Sequence, residues 1–364
     1  MKGLGKRLLM LWEKHSRIIN FVGLVTGFAF DLYLAKRPDS VVDNILLLTY
    51  LFICGAVIIL LNVRQSRRQE EKQHPVEPLA LLLVLQFCFG GLANNLLILY
   101  GKSGTLGGSF LFVVLLAAFA LGNDFLKGRY QLLRLNIAIY YFLLLTYCII
   151  AVPTFLLHAI GAQVFVISGA ISLGVISIFL WILSVAAFRA RDKKQVLEVG
   201  FIAGCIFIIF SGLYFLNIIP PVPLSIKGIG VYHSISKLPS GDYVGMYEAP
   251  AWYVFWRDTA STYTYTSGSE AYCFSAVFAP GSLTTPIVHT WEKYDTDTGK
   301  WELQSTFSFP ISGGRAEGYR GWSTEVLTPG QWRCNVETSR GQLIGRIAFS
   351  AQVGTPPALT SSSL

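Results

Sequence analysis

The sequence predicts a membrane bundle of seven transmembrane helices followed by an all-β sandwich domain. Three observations carry this expectation. Hydrophobic residues make up 53% of the 364-residue chain and charged residues only 14%, well below the roughly 25% charged share of an ordinary soluble domain. The apolar excess falls in seven long runs before residue 220, and the mean hydropathy of the chain is +0.52. Beyond residue 220 the chain turns to short aromatic and β-branched segments separated by turn residues, the pattern of paired strands.

The seven runs are residues 18–35, 44–63, 78–100, 108–126, 135–157, 163–188 and 199–219. Each has 18 to 26 residues. At about 1.5 Å per residue that length matches a hydrocarbon layer of about 30 Å. Lipid offers the backbone no hydrogen bonds, so the runs are expected as helices packed into a bundle. Ahead of them, residues 1–17 read as a cytoplasmic amphipathic segment, with Leu8, Leu9 and Trp12 against a basic face. The apolar stretch 8–12 is too short for the core of a signal peptide.

Orientation follows from the loops. Sixteen Lys and Arg residues fall before the first run and after the second, fourth and sixth, whereas the other side has only Lys36, Arg37 and Lys102. The excess of positive loops marks the cytoplasmic side. Seven crossings then carry the C-terminal domain beyond the far leaflet. That domain holds 10 Lys/Arg against 11 Asp/Glu, so the net charge of +8 belongs to the membrane loops. It gives no basic footprint for nucleic acid.

The spans are nearly empty of ionisable residues. Asp31 and Asp124 sit near span ends, where an interfacial position explains them. The third span is the most polar, with Gln86, Gly90, Gly91, Asn94 and Asn95, read as interhelical packing and hydrogen bonding. A polar pathway through the same residues is the alternative. Two glycine pairs, Gly23 with Gly27 and Gly200 with Gly204, allow close helix approach, within the bundle or between copies of the chain in a homo-oligomer. Pro153 is expected to kink the fifth span or release a carbonyl. Cys54, Cys88, Cys148 and Cys205 lie within spans as small apolar side chains. Each loop on the cytoplasmic side is far shorter than a domain, which excludes a receptor with its own cytoplasmic output enzyme.

Pro220, Pro221 and Pro223 form a stiff exit from the last span into a domain over residues 220–352. Candidate strands are 243–249, 252–256, 261–266, 271–278, 287–294, 301–309, 321–327, 331–337 and 343–351. Alternation is clearest in the eighth, with Trp332, Cys334 and Val336 on one face and Arg333, Asn335 and Glu337 on the other. Such a series of short strands implies a β-sandwich. Cys273, Trp291 and Cys334 follow the Cys…Trp…Cys order of an immunoglobulin-like sandwich. Whether the two cysteines form a disulfide depends on their geometry. Residues 353–364 read as a disordered tail.

Four segments resemble a known family. They are His289-Thr-Trp291-Glu292-Lys293, the run from Gly313 to Ser323, Gly330-Gln331-Trp332-Arg333, and residues 341–349. Together they are similar to the bacterial module called domain of unknown function 2914, as are residues 220–229 and 273–281. The resemblance covers residues 200–351 and reaches the spans by architecture alone. It implies a bacterial inner-membrane protein with a periplasmic module, and it implies no activity.

Within the module the Gly313–Ser323 run is the candidate ligand site. Arg315 and Arg320 offer planar forks to a carboxylate, phosphate or sugar acid, and Tyr319 and Trp322 offer stacking surfaces. The alternative is a glycine-rich bulge whose arginines pair with Glu317 or neighbouring strands. His289 joins the candidates, but alternation places it with Trp291 and opposite Glu292, which argues against an acid–base pair from the two. The sequence holds no GxSxG elbow, no Cys–His pair at a recognisable spacing, no clustered zinc ligands and no phosphate-binding glycine loop. Asp295-x-Asp297-x-Gly299 lacks the terminal Glu of a calcium loop and reads as a turn.

The resulting expectation is a non-enzymatic membrane protein without metal or cofactor, whose outer domain binds an envelope protein, a glycan or an anion. The alternatives are a transporter or channel subunit using the third span, and an enzyme acting on a lipid-linked substrate.

Overall fold

The computed structural model describes residues 38–70, 79–104, 109–122, 132–187, 193–239, 242–254, 257–281 and 283–364. The expected amphipathic segment, the span at 18–35, Asp31 and Asp124 lie outside the described residues. The expected helix-packing residues Gly23 and Gly27 belong to that same span, so Gly23 and Gly27 also lie outside the described residues.

Six α-helices come first among the described residues: α1 (Val41–Glu70), α2 (Leu79–Ser103), α3 (Phe110–Gly122), α4 (Leu133–Ala151), α5 (Ala162–Ala187) and α6 (Lys193–Phe215). Five of them are long and apolar enough to cross a membrane. The expectation of seven spans therefore stands at five among the described residues. The fourth run is represented by α3, with 13 residues, and residues 108 and 123–126 of that run lie outside the described residues. Ser40 opens α1, its Oγ accepting from the Asp43 backbone N–H at 3.3 Å, and Asp43 sits favourably in the positive first turn.

The central helix is α4. Its apolar window is 78% buried, against 22–44% for the other four. Tyr100 of α2 donates to the Thr146 carbonyl at 2.9 Å, and Tyr141 lies 3.3 Å from the Ser172 hydroxyl of α5. The outward faces carry Phe52, Phe87, Trp181, Phe201 and Ile208, all largely exposed. A surface so apolar is stable where lipid rather than water meets it. Close helix approach uses aromatics on glycine: the Tyr50 ring sits over Gly91 and the Phe207 ring over Gly169. For the second expected packing pair, Gly200 and Gly204, no atom among the described residues lies within 4 Å of where a Cβ would sit, so the pair makes no close approach inside the described part of the bundle. At Pro153 the α4 ladder widens into a π turn, Val152–Leu157, because proline brings no N–H and its ring displaces a carbonyl.

Eleven described strands follow: β1 (Ser225–Tyr232), β2 (Ser234–Lys237), β3 (Tyr243–Tyr247), β4 (Thr262–Tyr265), β5 (Glu270–Phe278), β6 (Thr284–Asp295), β7 (Lys300–Ser312), β8 (Tyr319–Val326), β9 (Gly330–Thr338), β10 (Leu343–Val353) and β11 (Thr360–Ser363). They form three sheets, ordered β1-β5-β8, β4-β10-β9-β6-β7 and β11-β3-β2. The first two face each other across a core of Val231, Cys273, Trp291, Cys334, Ile347 and Phe349. Cys273 of β5 and Cys334 of β9 form a disulfide between these sheets, 61 residues apart in sequence. The small third sheet lies on the outer face of the first, where Tyr232 and Phe274 pack with Ile235, Tyr247 and Leu364.

Three local expectations are corrected. Residues 251–254 form a turn rather than the start of a strand at 252–256, with the Val254 N–H donating to the Ala251 carbonyl at 2.8 Å. The strands β1 and β2 were not expected, because Ser225-Ile-Lys-Gly-Ile-Gly shows no alternation; β1 is held by its ladder to β5. The segment expected as a disordered tail contains β11. Its Ser-rich sequence pairs antiparallel with the edge of β3, and Leu364 then reaches the small core beside Tyr232.

The two regions are packed together. Val222 is buried with the helices and Leu224 with the strands, so the proline exit is a buried joint. Arg340, beside Gly341 at the β9–β10 turn, lies 4.5 Å over the Tyr214 ring and 5.3 Å over Phe215 at the end of α6. At the opposite end of the bundle Arg134 of α4 pairs with Glu198 of α6 at 2.5 Å.

Candidate functional site

The Gly313–Ser323 run divides into a loop and a strand. In the loop, Gly313 packs so tightly on Pro280 that a Cβ would lie 1.6 Å from the Pro280 carbonyl oxygen. Gly314 and Gly318 adopt φ of +97° and +88°, a left-handed backbone open to glycine. The Gly313 and Gly314 N–H groups donate to the carbonyls of Leu283 and Ala279. The glycines are therefore needed for loop packing. Arg315 and Glu317 are exposed on this loop, and the Arg315 guanidinium lies 5.6 Å from the Tyr319 ring.

In β8 the side chains alternate. Tyr319, Gly321 and Ser323 turn toward the core, while Arg320 and Trp322 turn to the side covered by the third sheet. There the Trp322 ring meets Tyr243 edge-on at 5.1 Å and remains 37% exposed. Arg320 reaches Asp242 at 3.7 Å, and Lys237 lies 5.9 Å from the Tyr243 ring. The result is an aromatic pair at the sheet rim, flanked by two cations and one acid. A surface ion pair of this length contributes little to stability.

His289 is not part of that rim. It is fully buried in the sandwich, with Nε2 2.8 Å from the Ser275 hydroxyl and Nδ1 3.0 Å from the Ser323 hydroxyl. Trp291 Nε1 donates to the same Ser323 oxygen at 2.9 Å. Burial pushes the imidazole pKa down to about 4, so the ring is neutral near pH 7, and two hydroxyls satisfy it in either tautomer. The expected grouping of His289 with Arg315 and Arg320 is thus corrected: alternation on β6 sends the histidine inward. His289 does lie beside Cys273 and Cys334, with donor atoms within 4.8 Å. The sulfurs are bonded to each other and both ring nitrogens are engaged, so this trio is no metal donor set.

Two polar clusters escaped the sequence reading. On the outer face of the five-stranded sheet, Arg333 Nε donates to Glu292, Asn335 Nδ2 donates to Glu292 at 2.7 Å, and Arg346 Nε donates to Asn335 Oδ1 at 2.6 Å. The Arg333 guanidinium also lies 4.3 Å over the Trp301 ring. Burial raises the Glu292 pKa, but the Arg333 and Asn335 hydrogen bonds outweigh it and hold the carboxyl below its ordinary value. Burial and the Glu292 charge push Glu337 upward. The second cluster is His233 with Glu248, 3.1 Å apart, where the His233 ring stacks on Tyr263 at 4.3 Å. Outward alternation on β9 was the available signal for the first cluster. Nothing in the sequence pairs residues 233 and 248.

The polar third run forms most of α2. Asn95 donates to the Gly91 carbonyl of its own helix at 2.9 Å. Gln86 and Asn94 are also engaged in interactions. Elsewhere, Trp252 is 94% exposed and Tyr253 61% exposed on the turn after β3, their rings edge-on at 5.8 Å.

Residues 284–351, covering β6 to β10, match the family described as "Protein of unknown function (DUF2914)". No curated protein matches the chain. Among solved structures, an immunoglobulin-like protein from Pseudomonas aeruginosa shares 14% identity with a TM-score of 0.17, covering 36% of this chain and 98% of its own. An alkylpurine DNA glycosylase from Pseudomonas fluorescens, bound to DNA with an abasic-site analogue, shares 10% identity with a TM-score of 0.22, covering 87% of this chain and 99% of its own. Neither TM-score establishes a shared fold.

Proposed function

We propose that the chain is a bacterial inner-membrane protein whose helices hold a periplasmic β-sandwich, and that this sandwich binds an envelope partner or ligand, protein, glycan or anion. The observation that carries the reading is the disulfide between Cys273 and Cys334. Disulfides persist in oxidising compartments and are rare in the cytosol. The Lys/Arg excess in the loops at the other end of the helices supports the same orientation.

Binding is assigned to the rim of Arg320, Trp322, Tyr243 and Lys237, with Arg315 and Tyr319 beside it on the adjoining loop. An exposed tryptophan between cations suits a ligand with a flat or apolar face and an acidic group. A photo-crosslinking residue placed at Trp322 in cells tests this, with one at Lys300 on the distant β6–β7 turn as reference. A discrete adduct at position 322 and none at 300 is expected. Equal background from both contradicts the assignment.

A further inference from the structure

Two lysines far apart in sequence open onto one cavity of about 280 Å3, between the end of α2 and the start of β1. Lys102 and Ser103 line it from the helix, Ser225 and Lys227 from the strand, and Leu99 and Phe278 supply an apolar wall. Lys102 alone has an ordinary explanation, since a cation in the last turn of a helix meets its negative end. Lys227 does not. The ladder to β5 pairs Ile226 with Val277 and Gly228 with Ala276, leaving Lys227 as the extra residue of a bulge. A bulge re-aims a side chain, and here it sets the ammonium 5.5 Å from the centroid of the Phe278 ring in the cavity wall.

The backbone irregularity thus brings a second positive charge to a hollow that already holds one. A second positive charge in the same hollow favours an anion there. The hydroxyls of Ser103 and Ser225, on residues 3% and 8% exposed, add short donors. Asp43, in the first turn of α1, acts on Lys102 and offsets part of the charge. Two ammonium groups and two hydroxyls make a donor set for oxyanion oxygens. Of the apolar wall, Leu99 lies on α2 and Phe278 on β5.

We propose that this cavity binds the phosphate group of an anionic phosphoester, held by Lys102, Lys227, Ser103 and Ser225 at the edge of the bilayer. The proposal rests on the membrane reading of the helices, and is independent of which side the β domain faces. It is also separate from the Trp322 rim.

The full chain, purified in a neutral detergent, is titrated with phosphatidylglycerol, glycerol 3-phosphate and inorganic phosphate and followed by native mass spectrometry. Saturable binding of one phosphatidylglycerol per chain is expected. The K102Q/K227Q variant lowers its affinity at least tenfold, and K293Q/K300Q on the β6–β7 hairpin leaves it unchanged. Tighter binding of phosphatidylglycerol identifies a lipid headgroup, and equal or tighter binding of the soluble probes identifies a free phosphate compound. The single variant K227Q, on an exposed bulge, gives the answer where the double variant does not fold. No saturable binding of any probe, or wild-type affinity in folded K227Q and K102Q/K227Q, overturns the proposal. Carbonate extraction of the membranes reports separately whether the chain is integral, so failure of the site and failure of the membrane reading are told apart.

Discussion

The sulfurs of Cys273 and Cys334 are bonded to each other across the sandwich, tying β5 in one sheet to β9 in the other. A link closing a loop of this length restricts the unfolded chain more than the folded one, and its removal from a small domain typically costs about 2–5 kcal/mol. The C273A/C334A variant is therefore expected to lose that much stability in denaturant unfolding of the full chain, followed by tryptophan fluorescence in detergent. Wild-type protein under reducing conditions should show the same loss, and an unchanged midpoint in both would show the bond to be absent.

Stability should also fall with acid through His289. Its folded pKa is about 4, below the ordinary value near 6.5, so the unfolded state takes up a proton first. The contribution is complete above pH 6.5, declines as pH falls toward 4 and is lost below it. A depression of this size corresponds to about 3 kcal/mol. The difference in melting temperature between pH 7 and pH 4.5 should shrink in H289Q, which cannot be protonated.

Gly313 tests the loop reading. Because a Cβ there would meet the Pro280 carbonyl oxygen at 1.6 Å, Gly313→Ala must displace backbone and is expected to cost more than about 2 kcal/mol. Arg315→Ala, on the exposed part of the same loop, should stay within about 0.5 kcal/mol. Comparable losses in denaturant unfolding of the two variants would mean that the arginine is structural.

On the β8 rim, Arg320→Ala and Trp322→Ala should leave the unfolding midpoint nearly unchanged, because the ion pair of Arg320 is with an exposed aspartate and Trp322 stays partly exposed. Arg320→Ala should nonetheless remove the adduct trapped by a crosslinker placed at Trp322. A full-strength adduct in that variant would move the binding surface elsewhere.

Asn95→Leu addresses the transport alternative. Since Asn95 is bonded to a carbonyl of its own helix, the variant should fold normally with little change in melting temperature. Loss of a measurable solute flux in otherwise folded protein would favour a polar path along α2 over packing.

The broad division of the chain was legible because lipid and water impose different periodicities. The apolar runs at 44–63, 78–100, 135–157, 163–188 and 199–219 correspond to α1, α2, α4 with its π turn, α5 and α6. The inward alternation of Trp332, Cys334 and Val336 likewise corresponds to buried positions on β9. Small-residue spacing was a poorer guide. Among the described residues Gly200 and Gly204 meet no neighbour, whereas the aromatic contacts fall on Gly91 and Gly169, and Gly27 with its partner Gly23 is outside the described residues. Elements held mainly by a neighbour's backbone were not legible. The glycine-rich β1 depends on β5, and the polar β11 depends on the open edge of β3. The site was read half-correctly for a similar reason. Alternation separated His289 from Glu292, yet only strand register brings Ser275 and Ser323 to the histidine and Arg333 to the glutamate. Lys102 and Lys227 carry no joint signal, because their meeting depends on how the β domain sits on the bundle.

The most direct measurement is proteolysis of intact spheroplasts producing the chain with an epitope appended after Leu364. The epitope should disappear on adding protease while a cytoplasmic marker stays whole. An epitope that survives until the membrane is breached would place the sandwich on the cytoplasmic side and contradict the account.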